Sequence, residues 1–353
     1  MNMQIDYRKI EALNYSSLKL FDDSPLDYYR MTILKEKREY NTSTALLIGS
    51  LVDFYLIDCN ADEDVFEEKF DTKFALYSGT KSTAQAFYLA DILYRITVRD
   101  TQDGICTTDF KTRFKEAMGI AQAEGKYKGK TEDKVLDDFN NTALSYYDEL
   151  IQNADKQVVD IFVLDKAKKI VEQLTTHNFT YKLFQDKKSI ERLNKVVIQF
   201  ALEIDGVDIS CKSEIDMIHV DHEHKVIHPY DLKTTYDNDN FEYNFVKNKY
   251  YLQMAFYYLA IRAWMQENDK IKDYRLEPMK FIVADTSKNN RYPLVYTTDD
   301  ELLKKGLKGF NYKERYYKGV EQLLKEVAWA FDNNIWKCTR EVYENNGTIK
   351  LTI

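Results

Sequence analysis

The sequence predicts an α/β protein, a central mixed sheet flanked by helices and interrupted by a long helical insertion. Three observations predict it. Residues 195–235 alternate apolar and polar positions around an Asp205-Gly206 pair, the pattern of strands joined by a tight turn. Residues 63–185 are charged and mostly helical in period, for example over Thr131–Ile151 and Lys156–Thr175. Residues 240–268 read as one long aromatic helix, followed by a further strand at Met279–Asp285. The expected organisation is a single domain over 1–353, with the helical insertion at 60–185 and the sheet and its helix at 190–300.

Composition narrows the class. Hydrophobic residues make up 44% of the 353, including 27 Tyr and 19 Phe, so the chain holds enough apolar surface for a core and is not a disordered one. With 11 Gly, 4 Pro and no low-complexity stretch, no flexible linker is visible. Cys59, Cys106, Cys211 and Cys338 are scattered without C-x-x-C spacing, which argues against a zinc or iron–sulfur site and for a reduced, cytoplasmic setting. The N-terminus lacks an apolar leader, and no run of about 18 apolar residues follows, so neither export nor membrane insertion is expected. A formal net charge of −8 excludes general coating of nucleic acid but not a local basic groove.

From the start, Asn14–Arg30 carries Ser/Asn capping chemistry and a second start at Ser24-Pro25, predicting two short helices. Ser16 in the first of them is a candidate phosphate contact. Thr44–Cys59 is apolar on nearly every side and predicts a buried helix, with Asp53 as the one acid in its middle. An unpaired carboxylate there is costly, so Asp53 either serves a metal or a catalytic lysine, or is a buried hydrogen-bonded group. The loop Tyr77–Thr83 ends in Gly-Thr-Lys-Ser but lacks the upstream glycine of a phosphate loop, so no ATP site is expected; Lys81 stays a candidate DNA contact. Lys126–Lys130 reads as a solvated basic loop or a backbone contact.

The chemistry concentrates in Val207–Thr235, a predicted hairpin that breaks at Asp221–Glu223. Asp231 and Lys233 are two apart on one strand and so project to one face, and the paired strand can bring Asp216 beside them. Two acids and a lysine around one point suit a divalent cation and the phosphate it activates. A solvated ion pair is the alternative on an exposed strand. The apolar neighbours in His228-Pro-Tyr-Asp-Leu-Lys-Thr-Thr point instead to charges at the end of a buried strand. His219, His222, His224 and His228 crowd the same region, but His222 and His224 fall in the turn and match no metal spacing. In the following helix Gln253 and Tyr257 share a face, and a polar Gln253 on an apolar stripe is explained if that face borders the acids. Tyr292–Tyr296 adds an expected edge strand. Residues 304–319 hold six Lys/Arg against one Glu, interleaved with aromatics. Lys308, Lys313 and Arg315 there belong either to a groove for single strands or to an amphipathic helix with a solvated basic face. No element is assigned beyond Asn333.

In this order, Gly49-Ser-Leu-Val-Asp53, Lys212-Ser-Glu-Ile-Asp216, Asp231-Leu-Lys-Thr-Thr235 and Gln253-Met-Ala-Phe-Tyr257 resemble the PD-(D/E)xK nuclease superfamily, and within it RecE-type exonuclease VIII and RecB-like phage exonucleases. Ser16–Tyr29 and Phe281–Tyr296 are also similar to that group. The resemblance implies a restriction-endonuclease-like core and a nuclease domain that digests linear double-stranded DNA from its ends with Mg²⁺ or Mn²⁺ and without ATP. It implies metal ligation by Asp216, Asp231 and the Leu232 carbonyl, a water-orienting Lys233, and Gln253 and Tyr257 beside them. Asp53 stands where such nucleases usually have His, and its ligation is an expectation from chemistry. The upstream Glu of the family has no single counterpart here, Glu191 and Gln199 both lying near. Lys212 and Thr234 join the expected DNA contacts. The likeness further implies phage-type recombination in a bacterial or phage-infected cell, a single-strand annealing partner and a ring-shaped homo-oligomer. A DNA-binding module without cleavage and an endonuclease are the rival readings.

Overall fold

Asp205 and Gly206 both take positive φ, 51° and 83°, the two-residue turn that matches strand twist, and they join β1 (Ile190–Ile204) to β2 (Val207–Asp221). These elements belong to a computed structural model that describes residues 7–36, 43–82, 84–287 and 291–348. The chain divides into two units, Met1–Glu36 with Gln173–Ile353, and Lys37–Glu172.

The first unit is built on a six-stranded mixed sheet. β3 (Val226–Thr235) runs antiparallel to β2 and parallel to β4 (Arg275–Leu276) and β5 (Lys280–Asp285), and β6 (Leu294–Thr297) closes the edge antiparallel to β5. The break expected at 221–223 is a turn over 222–225, and the strands expected at 279–285 and 292–296 are present within a residue or two. β2 pairs with β3 only from Met217 to Asp221, then the two diverge, and the free edge of β2 receives Leu13 at Cys211. Helix α1 (Tyr15–Asp23) starts at a capping box: the Asn14 carboxamide accepts from Ser17 N–H and the Ser17 hydroxyl accepts from Asn14 N–H.

The predicted helix over 240–268 is in fact two, α2 (Phe241–Lys247) and α3 (Tyr250–Gln266). Lys249 breaks it with a left-handed φ of 59°, held by ion pairs to Asp22 and Asp23. α3 lies on the sheet, with Phe256 5.6 Å from Phe200. After it come α4 (Asp300–Lys308), a hairpin of β7 (Phe310–Tyr312) and β8 (Arg315–Tyr317), and α5 (Val320–Asn333). The basic run 304–319 is therefore not one helix: Gly309, at φ 90°, ends α4 and the rest is a hairpin turning at Lys313 and Glu314. Among the described residues no helix is long and apolar enough to cross a membrane.

The second unit is mainly helical, with its own core of Phe87, Leu89, Phe114, Phe139 and Tyr146. Two expectations are corrected here. Residues 157–160 form a strand parallel to Phe74–Tyr77 and not the start of a helix, because Val158 and Val159 are buried in extended backbone. Thr44–Asp53 is a regular helix whose first turn is exposed, Leu46 included, and it widens into a π-helix at Phe54–Asp58.

Candidate active site

Where β2 leaves β3, the buried sheet presents two carboxylates. Counting pairs from the Asp205-Gly206 turn puts Lys195 of β1 opposite Asp216 of β2; Asn194 and Val196 pair on either side, and Lys195 takes a left-handed φ of 49°. Its ammonium lies 3.2 Å from Asp216 Oδ1, while Asp216 Oδ2 accepts the Leu232 N–H at 2.9 Å. Along β3, Lys225, Ile227 and Thr235 send their carbonyls toward β4 and β5, so Leu232, out of step with them, faces β2 with both its N–H and its C=O. Asp231, whose side chain is only 2% exposed, accepts Gln253 Nε2 of α3 at 2.6 Å on Oδ1, and its Oδ2 forms an ion pair with the Lys233 ammonium. Lys233 in turn sits over the Tyr250 ring at 4.8 Å.

The electrostatics separate the two acids. Burial pushes Asp231 up to about 6 against the pull of Lys233. Burial opposes Asp216 too, but Lys195, Lys233 and the Leu232 N–H together hold its carboxyl below the usual range. Burial, then Asp231 and Asp216, push the Tyr257 hydroxyl well up, so it stays a neutral donor; Tyr15, bonded to Asn248 O at 3.0 Å, is raised by burial and by Tyr250 and Asp231. Among the described residues no group of three or more His, Cys, Asp or Glu could hold a metal. The donors on offer are thus Asp216, Asp231 and the Leu232 carbonyl, enough for Mg²⁺, which keeps waters and takes only one or two carboxylates. Two features fit such an ion, both of them buried oxygens with no hydrogen-bond partner among the described residues: Asp231 Oδ2, which has the ion pair to Lys233, and Gln253 Oε1.

The five expected catalytic residues therefore gather in one place. Asp53 belongs to the other unit, half-buried at the last residue of its helix. Of the expected DNA contacts, Lys212 is buried and bonds the Tyr7 and Ile10 carbonyls at 2.8 and 2.7 Å, fastening the N-terminal arm. Lys81 is taken up by Asp91 at 2.7 Å and the Tyr146 hydroxyl. Lys308 pairs with Glu321. Ser16, Lys313 and Arg315 are exposed, and Thr234 is half-buried beside Lys233. Residues missed from the sequence are Lys195, Tyr250 and Tyr15; the register count from the Asp-Gly turn carried the signal for Lys195.

No family model matches the chain, and no curated protein matches it. Among solved structures, the crystal structure of SSO0001 is similar over 74% of this chain and 82% of its own, at 11% identity and a TM-score of 0.23, a likeness too slight to argue from.

Proposed function

We propose that the chain is a PD-(D/E)xK-type nuclease of the RecE/RecB-like kind, hydrolysing linear duplex DNA from its ends with Mg²⁺ or Mn²⁺ and without ATP. One observation carries the reading: Asp216 of one strand receives the backbone N–H between Asp231 and Lys233 of the next, and Gln253 of α3 bonds Asp231, so three separated segments meet around the two acids. Asp216, Asp231 and the Leu232 carbonyl would hold the ion. A bound divalent cation would lower the pKa of water and relieve charge on the scissile phosphate. Lys233, steadied over Tyr250, then neutralises charge developing on that phosphate or orients the attacking water. Gln253 fixes Asp231, and Tyr257 offers a neutral hydroxyl beside it.

The test incubates the full chain and Mg²⁺ with linear and with covalently closed duplex. Linear DNA is expected to disappear while the closed circle persists, and Asp231→Asn or Lys233→Met should lower the rate by about a hundredfold or more. Intact linear DNA, or variants as active as the parent, would sink the proposal; a nicked circle would make the chain an endonuclease instead. A second reading, DNA binding without cleavage, is favoured by one feature, the lysine standing on each carboxylate. There, DNA is bound but never cut at any Mn²⁺ concentration.

A further inference from the structure

Three aromatic rings from two separated loops gather on the surface of the sheet unit. Phe179 is 55% exposed and Tyr292 50%. The Phe179 ring stands 4.7 Å from that of His177 and 5.7 Å from that of Tyr292, steeply inclined to both at 73° and 87°, while His177 and Tyr292 lie within 20° of parallel at 6.2 Å. Single exposed aromatics are ordinary on a protein surface, but three together form a patch that calls for a partner.

Both loops are tied down. The buried Thr180 gives its N–H to the His177 carbonyl and its hydroxyl to that of Leu174 at 2.7 Å. Asn238, buried as well, donates its carboxamide N–H to the Tyr292 carbonyl at 2.7 Å. Rings mounted this way lose little freedom when something settles on them. Asn238 follows Lys233 by five residues, at most about 18 Å of chain, so the trio stands at the end of β3 that carries the candidate site.

The surrounding chemistry narrows the occupant. Arg291, next to Tyr292, is shared by Asp237 and Asp239 at 2.8 Å each, two acids on one guanidinium. That balance repels a phosphate and leaves an uncharged flat ring unaffected. The His177 Nδ1 accepts the Phe179 N–H at 3.3 Å, which places the proton of the neutral imidazole on Nε2. This N–H and the Tyr292 hydroxyl have no hydrogen-bond partner among the described residues, so they are donors for the edge of a stacked ring.

We infer that His177, Phe179 and Tyr292 form a stacking platform for an unpaired base at the end of the DNA. This rests on the DNA reading above and adds to it the kind of end preferred, one with a single-stranded overhang. Every base has a flat face, so the platform is indifferent to sequence. Stacking releases no counterions, so its share of the affinity persists at salt concentrations that weaken phosphate contacts.

The experiment is fluorescence anisotropy of the full chain in EDTA, which prevents metal-dependent cleavage, with duplexes that are blunt or carry short overhangs, at low and moderate salt. The proteins are the parent, Phe179→Ala, Tyr292→Ala and Phe179→Trp, with a thermal melt of each to verify folding. The parent is expected to prefer the overhang. Each alanine variant should lose about tenfold in affinity for it at both salt concentrations while binding blunt duplex as before, and Phe179→Trp should keep the preference. Folded alanine variants that match the parent on both duplexes, or that lose equally on both, overturn the platform and leave the nuclease reading standing. A Phe179→Ala protein whose sedimentation changes while its DNA affinity does not gives the patch to a second copy of the chain and overturns the platform too. An overhang-specific loss in a chain that never cuts DNA keeps the platform and sinks the nuclease alone. A parent that binds neither duplex sinks both.

Discussion

Burial sets the charge state of His219. It lies on β2 between Arg192 of β1 and His228 of β3, its ring 4.9 Å from that of Tyr230. Desolvation, aided by Arg192, His228 and Lys187, pulls its pKa down to about 4; burial, with Lys280 and Arg275, lowers His228 as well against the opposing pull of Glu277 and Asp221. The unfolded chain protonates His219 near its ordinary value, about 6.5, and the folded chain does not until near 4. The stability tied to a neutral His219 is therefore whole above about pH 6.5 and is lost as pH falls toward 4, a loss on the order of 2 kcal/mol. Urea unfolding at about pH 7.5 and about pH 5 should show it, and His219→Phe should flatten that slope; an unchanged slope would count against it. At this scale the strand period put Asp231 and Lys233 on one face, the helix period put Gln253 and Tyr257 on another, and strand pairing brought Asp216 to the first, so the grouping was legible from local patterns. Lys212 was not, since nothing local tells a lysine for phosphate from one that clasps the carbonyls of Tyr7 and Ile10.

Among elements, α3 decides whether Gln253 and Tyr250 meet the acids, and α4 holds α3 in place through Gly306. A Cβ on Gly306 would stand 2.6 Å from the Tyr251 carbonyl oxygen and 3.1 Å from Ala255 Cβ. Alanine gains about 1 kcal/mol of helix propensity over glycine, but a backbone carbonyl cannot give way as a flexible side chain does. The clash wins. Gly306→Ala should lower stability by about 1–3 kcal/mol, read as a lower urea midpoint; a raised midpoint would show that the two helices slide apart freely. The strands and the Asp205-Gly206 turn were legible because period-two patterning and turn chemistry are local. The break at Lys249 was not, because the ion pairs that hold its left-handed backbone come from Asp22 and Asp23, over two hundred residues earlier. The hairpin after α4 was hidden differently: its turn uses Lys313 and Glu314, both at positive φ, where Asn or Gly would have announced it.

For the whole molecule, the expected insertion at 60–185 corresponds to a unit over 37–172. Its start was obscured because Thr44–Asp53 is as apolar as a core helix, and its end because the helix Ile161–Thr176 runs across the boundary. Two hydrophobic cores among the described residues share no residue. That of the sheet unit draws on Leu13–Tyr28 and on residues from Ile198 to Trp336, whereas that of the other unit lies wholly between Ala75 and Val158. A core closed over one continuous stretch does not need the rest of the chain to hide its apolar surface. Residues 43–176, which keep that last helix whole, should therefore fold alone, with a helical circular dichroism spectrum and a single cooperative thermal transition. A gradual, non-cooperative loss of helix on heating would mean that the aromatic cluster of Phe114, Phe139 and Tyr147 is too small to order that stretch by itself.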